Sequence, residues 1–292
     1  MFFVKALSLL PLGFLYFLAE ITAILAFHVF HYRRSVVREN LAMAFPEKPL
    51  KERKKIAKQF YRQFLQVFAE FMKAWRFKKE DWLERFPITN PEVVEDYLKK
   101  GVPVVLMSGH TANWEWGAYT LNAHIDFDLD FLYKPVKKKA FDDIMLKLRT
   151  RHGGIAIAKD NAIREVIKRR KKPRLVGIIG DQLPSMGTEK YWLNFLNRPT
   201  AFYKGAERIA TLTQYAVFYA EVSRTGLGRY ELTFQKIDEP PYEKGHEGII
   251  ASFVEHLEAS IRKHPADYLW SHKRWKYSKE EEEAHLASLK SQ

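Results

Sequence analysis

A chain of 292 residues with 47% hydrophobic and 14% aromatic content has enough apolar material for one large α/β domain and an appendage. It contains no cysteine, which excludes a thiol nucleophile, a disulfide framework and a cysteine-ligated metal. Its formal net charge of +13 points to an acidic partner: nucleic acid, an anionic membrane, or an acidic protein or phosphorylated substrate.

The N-terminus narrows that choice. Residues 6–30 are almost wholly apolar, with Lys5 on one side and Arg33 and Arg34 on the other. The run is long enough to span a bilayer. Glu20 in its middle is costly in hydrocarbon, and Pro11 and Gly13 loosen its first third. No small-residue cleavage site with a polar mature start follows, so a removed signal peptide is not expected. Membrane attachment is expected instead, through a spanning anchor or a helix lying in the interface; a buried core helix is the plain alternative. Arg33, Arg34 and Arg38 then put the main domain on the cytoplasmic side. The expected organisation is an anchor helix over 1–32, a main domain over 33–278 and a charged, peripheral or disordered tail over 279–292.

Residues 49–77 carry apolar side chains at helical spacing (Ile56, Phe60, Phe64, Val67, Phe71, Trp75) opposite a basic face that includes Lys51, Lys54, Lys55, Lys58 and Arg62. Such a helix suits an anionic membrane surface, or packs its aromatic side into the core with a solvated basic face. From residue 91 the pattern alternates. Helices are expected over 91–100, 113–123, 140–152, 161–171, 203–213 and 247–263. Strands are expected over 102–107, 129–133, 155–157 and 175–179, with a hairpin of strands 215–222 and 230–237. That order predicts an α/β fold with a mostly parallel central sheet flanked by helices, preceded by an N-terminal hydrophobic membrane helix.

Four stretches stand out, and several lie just past an expected strand, where open α/β sheets place ligands. In Ser108-Gly-His-Thr-Ala-Asn-Trp-Glu115, His110 is the only one of ten histidines with an acid five positions later. A carboxylate there, a helical turn on, is placed to fold back on the ring, fix its tautomer and raise its basicity. Chance pairing makes that spacing weak without its context, and a strand-end histidine satisfied by a nearby acid is the plain reading. Tyr133-Lys-Pro135 with Lys137, Lys138 and Lys139, followed by Arg149, resembles an anion site, Arg149 offering a planar fork; a solvated basic loop is the alternative. Asp181, straight after an apolar strand, is placed to position a basic residue or the histidine, or to cap a turn. The aromatic-rich segment 192–202 reads as a loop that lines an apolar tunnel. Tyr268-Leu-Trp-Ser-His-Lys-Arg-Trp-Lys276 interleaves basic and aromatic residues, as at a nucleic-acid surface or a membrane interface.

In combination these blocks resemble the glycerolipid acyltransferase superfamily, and more closely the bacterial lipid A biosynthesis (late, or secondary) acyltransferases. The resemblance covers nearly the whole chain. His110 to Glu115 matches the family's block of histidine, four residues and an acid, and Tyr133-Lys134-Pro135 its Tyr-Arg-Pro block. Arg149 matches the arginine of the following helix, and Gly180-Asp181-Gln182, Phe195–Ala201 and Trp270–Lys276 match three further blocks. Lys134 in place of arginine and the missing glycine before Arg198 are departures that bear on acceptor identity.

The resemblance implies acyl transfer from acyl-acyl carrier protein, or from acyl-CoA, to a hydroxyl of a lipid A precursor, an anionic lipid, at the inner membrane. His110 and Glu115 are the expected catalytic dyad, with no covalent enzyme intermediate. Asn113, Lys134, Arg149 and Asp181 are the expected substrate-binding residues, and no metal or cofactor is expected. A monomer that binds no nucleic acid is expected. The same chemistry on another acceptor, a lysophospholipid, a phosphatidylinositol mannoside or an aminolipid, is the nearest rival. A nucleic-acid-binding protein leaves the apolar N-terminus unexplained, and an α/β hydrolase lacks its Gly-x-Ser-x-Gly elbow.

Overall fold

The structure is a computed structural model and describes residues 2–135, 139–151 and 153–290. At its centre is a six-stranded sheet in the order β3-β2-β4-β1-β7-β8. Its strands are β1 (Val104–Ser108), β2 (Asp128–Tyr133), β3 (Ile155–Ala158), β4 (Arg174–Ile179), β7 (Ala216–Gly226) and β8 (Arg229–Asp238). All neighbours pair in parallel except β7 with β8, which form an antiparallel hairpin at one edge. The alternating pattern predicted this, and the near-continuous apolar run Val104–Met107 is what a strand buried on both faces requires.

Alternation along the strands splits the core in two. Val104, Leu106 and Leu175 face a cluster with α5 (Lys79–Arg85), α6 (Glu92–Lys99), α7 (Trp114–His124) and α8 (Lys139–Arg149). Val105, Met107 and Val176 face a second cluster with α9 (Ala162–Lys168), α10 (Gly205–Thr213) and α11 (Ile249–Lys263). The sheet is thus a layer between helices, and side chains at the carboxyl ends of β1, β2 and β4 meet at one rim.

The N-terminal apolar run is not one helix. It forms α1 (Phe2–Leu9) and α2 (Leu12–His28), parted at Leu10 and Pro11, because proline cannot donate the backbone hydrogen bond that a continuous helix needs. No helix among the described residues is long and apolar enough to cross a membrane. Leu15, Tyr16, Ala19, Ala23 and Phe27 of α2 are buried against α4 (Leu50–Ala74). The costly Glu20 is paired with Arg62 of α4 at 2.7 Å. On the outward side of α2, Phe14, Phe17, Ile21 and Ile24 remain exposed, Phe17 at 59% and Ile24 at 51%.

α4 follows the expected helix closely. Its aromatic side is core, with Phe60, Tyr61 and Phe71 buried, while Lys51, Lys54, Lys55, Lys58 and Arg62 are exposed. α3 (Arg34–Ala44) connects α2 to α4. The segment 192–202 is no loop. It is a hairpin of β5 (Lys190–Phe195) and β6 (Arg198–Tyr203), turned on Leu196 and Asn197, both with positive φ. Leu196 is held there by full burial and by its N–H donating to Glu258 at 2.7 Å. The tail is helical as well: in α12 (Lys279–Lys290), Glu282 is buried against Lys190, Trp192 and the Gly187 N–H.

Candidate active site

The turn after β1 carries His110, and its shape is set by neighbours on both sides. A Cβ at Gly109 would lie 2.5 Å from the end of the Leu257 side chain of α11, so a larger residue here would have to displace that buried leucine. The chain from Ala266 to Leu269 then clamps the turn. The Ala112 N–H donates to the Asp267 carbonyl, and the Leu269 N–H to the His110 carbonyl. Ser108 is tied down as well, its hydroxyl donating to the Ala220 carbonyl at 2.8 Å.

The ring of His110 meets Asp181, not Glu115. Nδ1 lies 2.6 Å from Oδ1 of Asp181, and the His110 backbone N–H donates to Oδ2 at 3.2 Å. β4 delivers Asp181 to this point because it runs beside β1 in register, Ser108 opposite Ile179. The carboxylate is only 2% exposed, the ring 15%. Burial opposes the charge of both groups, yet their mutual attraction prevails. The His110 pKa is raised, and that of Asp181 is pulled down to about 2. Nε2 has no hydrogen-bond partner among the described residues. Trp114 packs edge-on against the ring at 5.2 Å.

Glu115 is instead paired with Arg149, through Nε at 3.0 Å and Nη2 at 2.5 Å. This corrects the expectation that Glu115 holds the imidazole. Glu115 is the second residue of α7, and its side chain reaches α8, where the planar fork of Arg149 takes both carboxylate oxygens. Burial works against the Arg149 charge, but Glu115 outweighs it and raises the pKa. Glu115 still acts on His110 through space, favouring its charged form.

Asn113 is not available to a substrate. It is fully buried as the N-cap of α7, its Oδ1 accepting from the Trp116 N–H at 3.0 Å and its Nδ2 donating to Glu70 at 2.6 Å. Glu70 also accepts from the hydroxyls of Tyr16 and Tyr230, and burial raises its pKa. This buried carboxylate joins α2, α4, α7 and β8 behind the His110 turn. The sequence offered no signal for it, since an acid inside an amphipathic helix reads as a surface residue.

Lys134 is exposed at the end of β2; Lys137 and Lys138 lie outside the described residues. Trp270–Lys276 is largely interior rather than an interface. Trp270 and Arg274 are 1% exposed, and Arg274 donates to the Ala201 carbonyl at 2.6 Å while its charge favours ionised Asp181. Burial drives the His272 pKa down to about 4, so that ring stays neutral at neutral pH. Among the described residues no three His, Asp or Glu side chains gather in a way that could hold a metal ion.

His110, Trp114, Glu115, Lys134 and Arg149 line one cavity of about 600 Å³. It reaches both faces of the sheet: Leu106 and Gly177 line it on the α7–α8 side, Met107 and Ile178 on the α9–α11 side. Pairing between β2 and β4 stops at Phe131 and Gly177, while β1 and β4 stay paired to Ser108 and Ile179, and the residues just beyond that stop, Leu132, Tyr133, Ile178 and Ile179, line the cavity. None of residues 192–202 is among those lining it, only Tyr203 at the end of β6, so the cavity is built mainly from the sheet and its helices rather than from the expected segment.

An imidazole with an aspartate behind it, lining a mostly apolar cavity, suits proton transfer beside a fatty chain. The family model for bacterial lipid A biosynthesis acyltransferases matches residues 1–277. The chain belongs to that family. As a lipid A acyltransferase it carries its matched region from α1 to the segment after Trp275, leaving only the tail helix outside. No curated protein matches the sequence.

Proposed function

We propose that this lipid A acyltransferase moves a fatty acyl group from a thioester to a hydroxyl of a lipid A precursor, with His110 as general base. Acyl carrier protein is the first choice of donor and coenzyme A the second. The observation that carries the reading is the His110–Asp181 pair at the mouth of the apolar cavity.

Asp181 fixes the proton on Nδ1, which leaves Nε2 to accept the hydroxyl proton. The alcohol oxygen attacks the thioester carbonyl, the new C–O bond forms, and the C–S bond breaks. The imidazolium returns its proton to the leaving thiolate. The charge on Asp181 and the more distant Glu115 both favour the cationic ring formed midway. The first amides of α7, at Trp114 and Glu115, have no acceptor among the described residues, and both residues line the cavity. These amides are our candidates for the oxyanion donors. Arg149 and Lys134 serve anionic groups of donor or acceptor at the mouth.

The net charge of +13 suits an acidic carrier protein and an anionic bilayer. The exposed apolar side of α2 lies in the membrane interface, with the basic side of α4 near the headgroups. The test is an assay of the purified protein with acyl-acyl carrier protein and a lipid A precursor, alongside mass spectrometry of lipids from cells with and without the gene. Acylation of the precursor, and its loss with the gene, supports the reading. A change confined to another lipid class assigns the same chemistry to another acceptor.

A further inference from the structure

Gly117 and Gly177 are two glycines with no evident backbone or packing reason to be glycine. Gly177 sits in β4, inside the sheet and paired on both sides, with Leu106 of β1 and Phe131 of β2. Gly117 sits in α7. Neither has positive φ. A Cβ at Gly177 would come no closer than 3.8 Å to any atom, and one at Gly117 no closer than 3.7 Å. Glycine inside a strand or a helix costs stability, so two of them without such a need mark a place where a side chain would fill space that something else uses.

That space is the arm of the cavity between the sheet and α7 and α8. Both glycines line it, with Leu106, Leu121, Leu129 and Val222. Gly177 is partly accessible although β4 has a strand on either side, so its accessible surface opens into the arm. It lies two residues deeper than Ile179, or roughly 6–7 Å below the rim where His110 sits. Away from the Glu115–Arg149 pair near His110 these lining residues are apolar, which fits a hydrocarbon chain.

Resting on the acyl-transfer reading, we propose that the arm between the sheet and α7–α8 receives the fatty chain of the donor, and that Gly117 and Gly177 set the length of chain it accepts. A larger side chain at either position raises the floor of the arm. Every methylene then left in water costs roughly fourfold in specificity, from about 0.8 kcal/mol per buried CH₂.

The experiment compares decanoyl, dodecanoyl, tetradecanoyl and hexadecanoyl donors with the wild type and with Gly177→Leu, Gly177→Ala, Gly117→Ala and Gly205→Leu. Gly205 lines the cavity on the other face of the sheet, where a Cβ meets nothing within 4 Å. The expected result is a shift of kcat/KM toward shorter donors, larger for Gly177→Leu than for the alanine variants. Gly205→Leu keeps the wild-type ranking of chain lengths, whatever it does to rate. An unchanged ranking in folded Gly177→Leu, or a shift produced by Gly205→Leu alone, overturns the proposal. If Gly177→Leu fails to fold, the two alanine variants, whose added methyl has room, decide in the same way. If the wild type transfers no acyl group from any donor, the acyl-transfer reading fails, and calorimetric binding of the matching free fatty acids decides the arm separately. A length cut-off that moves between wild type and Gly177→Ala upholds it, and an identical cut-off overturns it.

Discussion

Nδ1 of His110 lies 2.6 Å from Oδ1 of Asp181, a residue 71 positions away in the chain, whereas Glu115, five positions away, turns to Arg149. The partner that sequence spacing favours is displaced by one that strand pairing supplies. The ring and the acid five residues on belong to two pairs side by side at one cavity mouth.

Asp181→Asn separates orientation from charge. Without the carboxylate the raised His110 pKa falls, since the attraction that outweighs burial is gone. The base must be neutral to act, so the acid limb of the pH–rate profile moves to lower pH while the maximum rate drops, by about 10²-fold or more. The stability contribution of Asp181 has the opposite pH dependence to a raised group. Its folded pKa of about 2 lies below the usual carboxylate value, so the contribution is present above that usual value and is lost as pH falls toward 2. A profile measured from pH 5 to 9 on both proteins checks the first point: an acid limb that stays in place contradicts it.

Glu115 and Arg149 act as a unit. Removing either leaves a partly buried charge without its partner, so Glu115→Ala and Arg149→Ala each lose about 1–3 kcal/mol. The double variant loses less than the two together. Denaturant unfolding of the four proteins in detergent measures the coupling, and full additivity contradicts it.

Asn113→Asp keeps a side chain able to cap α7 but sets a second carboxylate against buried Glu70. Two acids in one site disfavour double ionisation. The variant is therefore less stable than wild type by a margin that grows from pH 5 to pH 8. Glu70 itself, with its pKa raised by burial, already binds its proton more readily when folded. Melting curves at the two pH values decide; an equal deficit at both contradicts the account.

Much of this was legible in the chain. Short apolar runs alternating with helical-period segments pointed to the parallel sheet, α4, α7 and α11, and the blocks around His110, Asp181 and Trp270 pointed to the family. Three things were not. The hairpin at Leu196 and Asn197 uses a turn pair without glycine, stabilised by tertiary contacts to Glu258 that no local rule contains. Asn113 looks like a site residue because it neighbours His110, but its cap and its bond to Glu70 are set by α4, far away in the chain. The choice between Glu115 and Asp181 depends on the registry of β1 with β4, which spacing does not encode.

The outward side of α2 is expected to hold the protein on lipid. Phe17→Asp combined with Ile24→Asp changes two exposed positions and leaves the buried side facing α4 intact. The variant should keep its melting temperature and lose co-sedimentation with anionic vesicles. Retained co-sedimentation places the lipid contact elsewhere.

The most direct measurement is turnover by His110→Ala, purified and shown to be folded, with an acyl thioester donor and a lipid A precursor. The account expects kcat to fall by about 10²–10⁴. Turnover close to that of the wild type contradicts it.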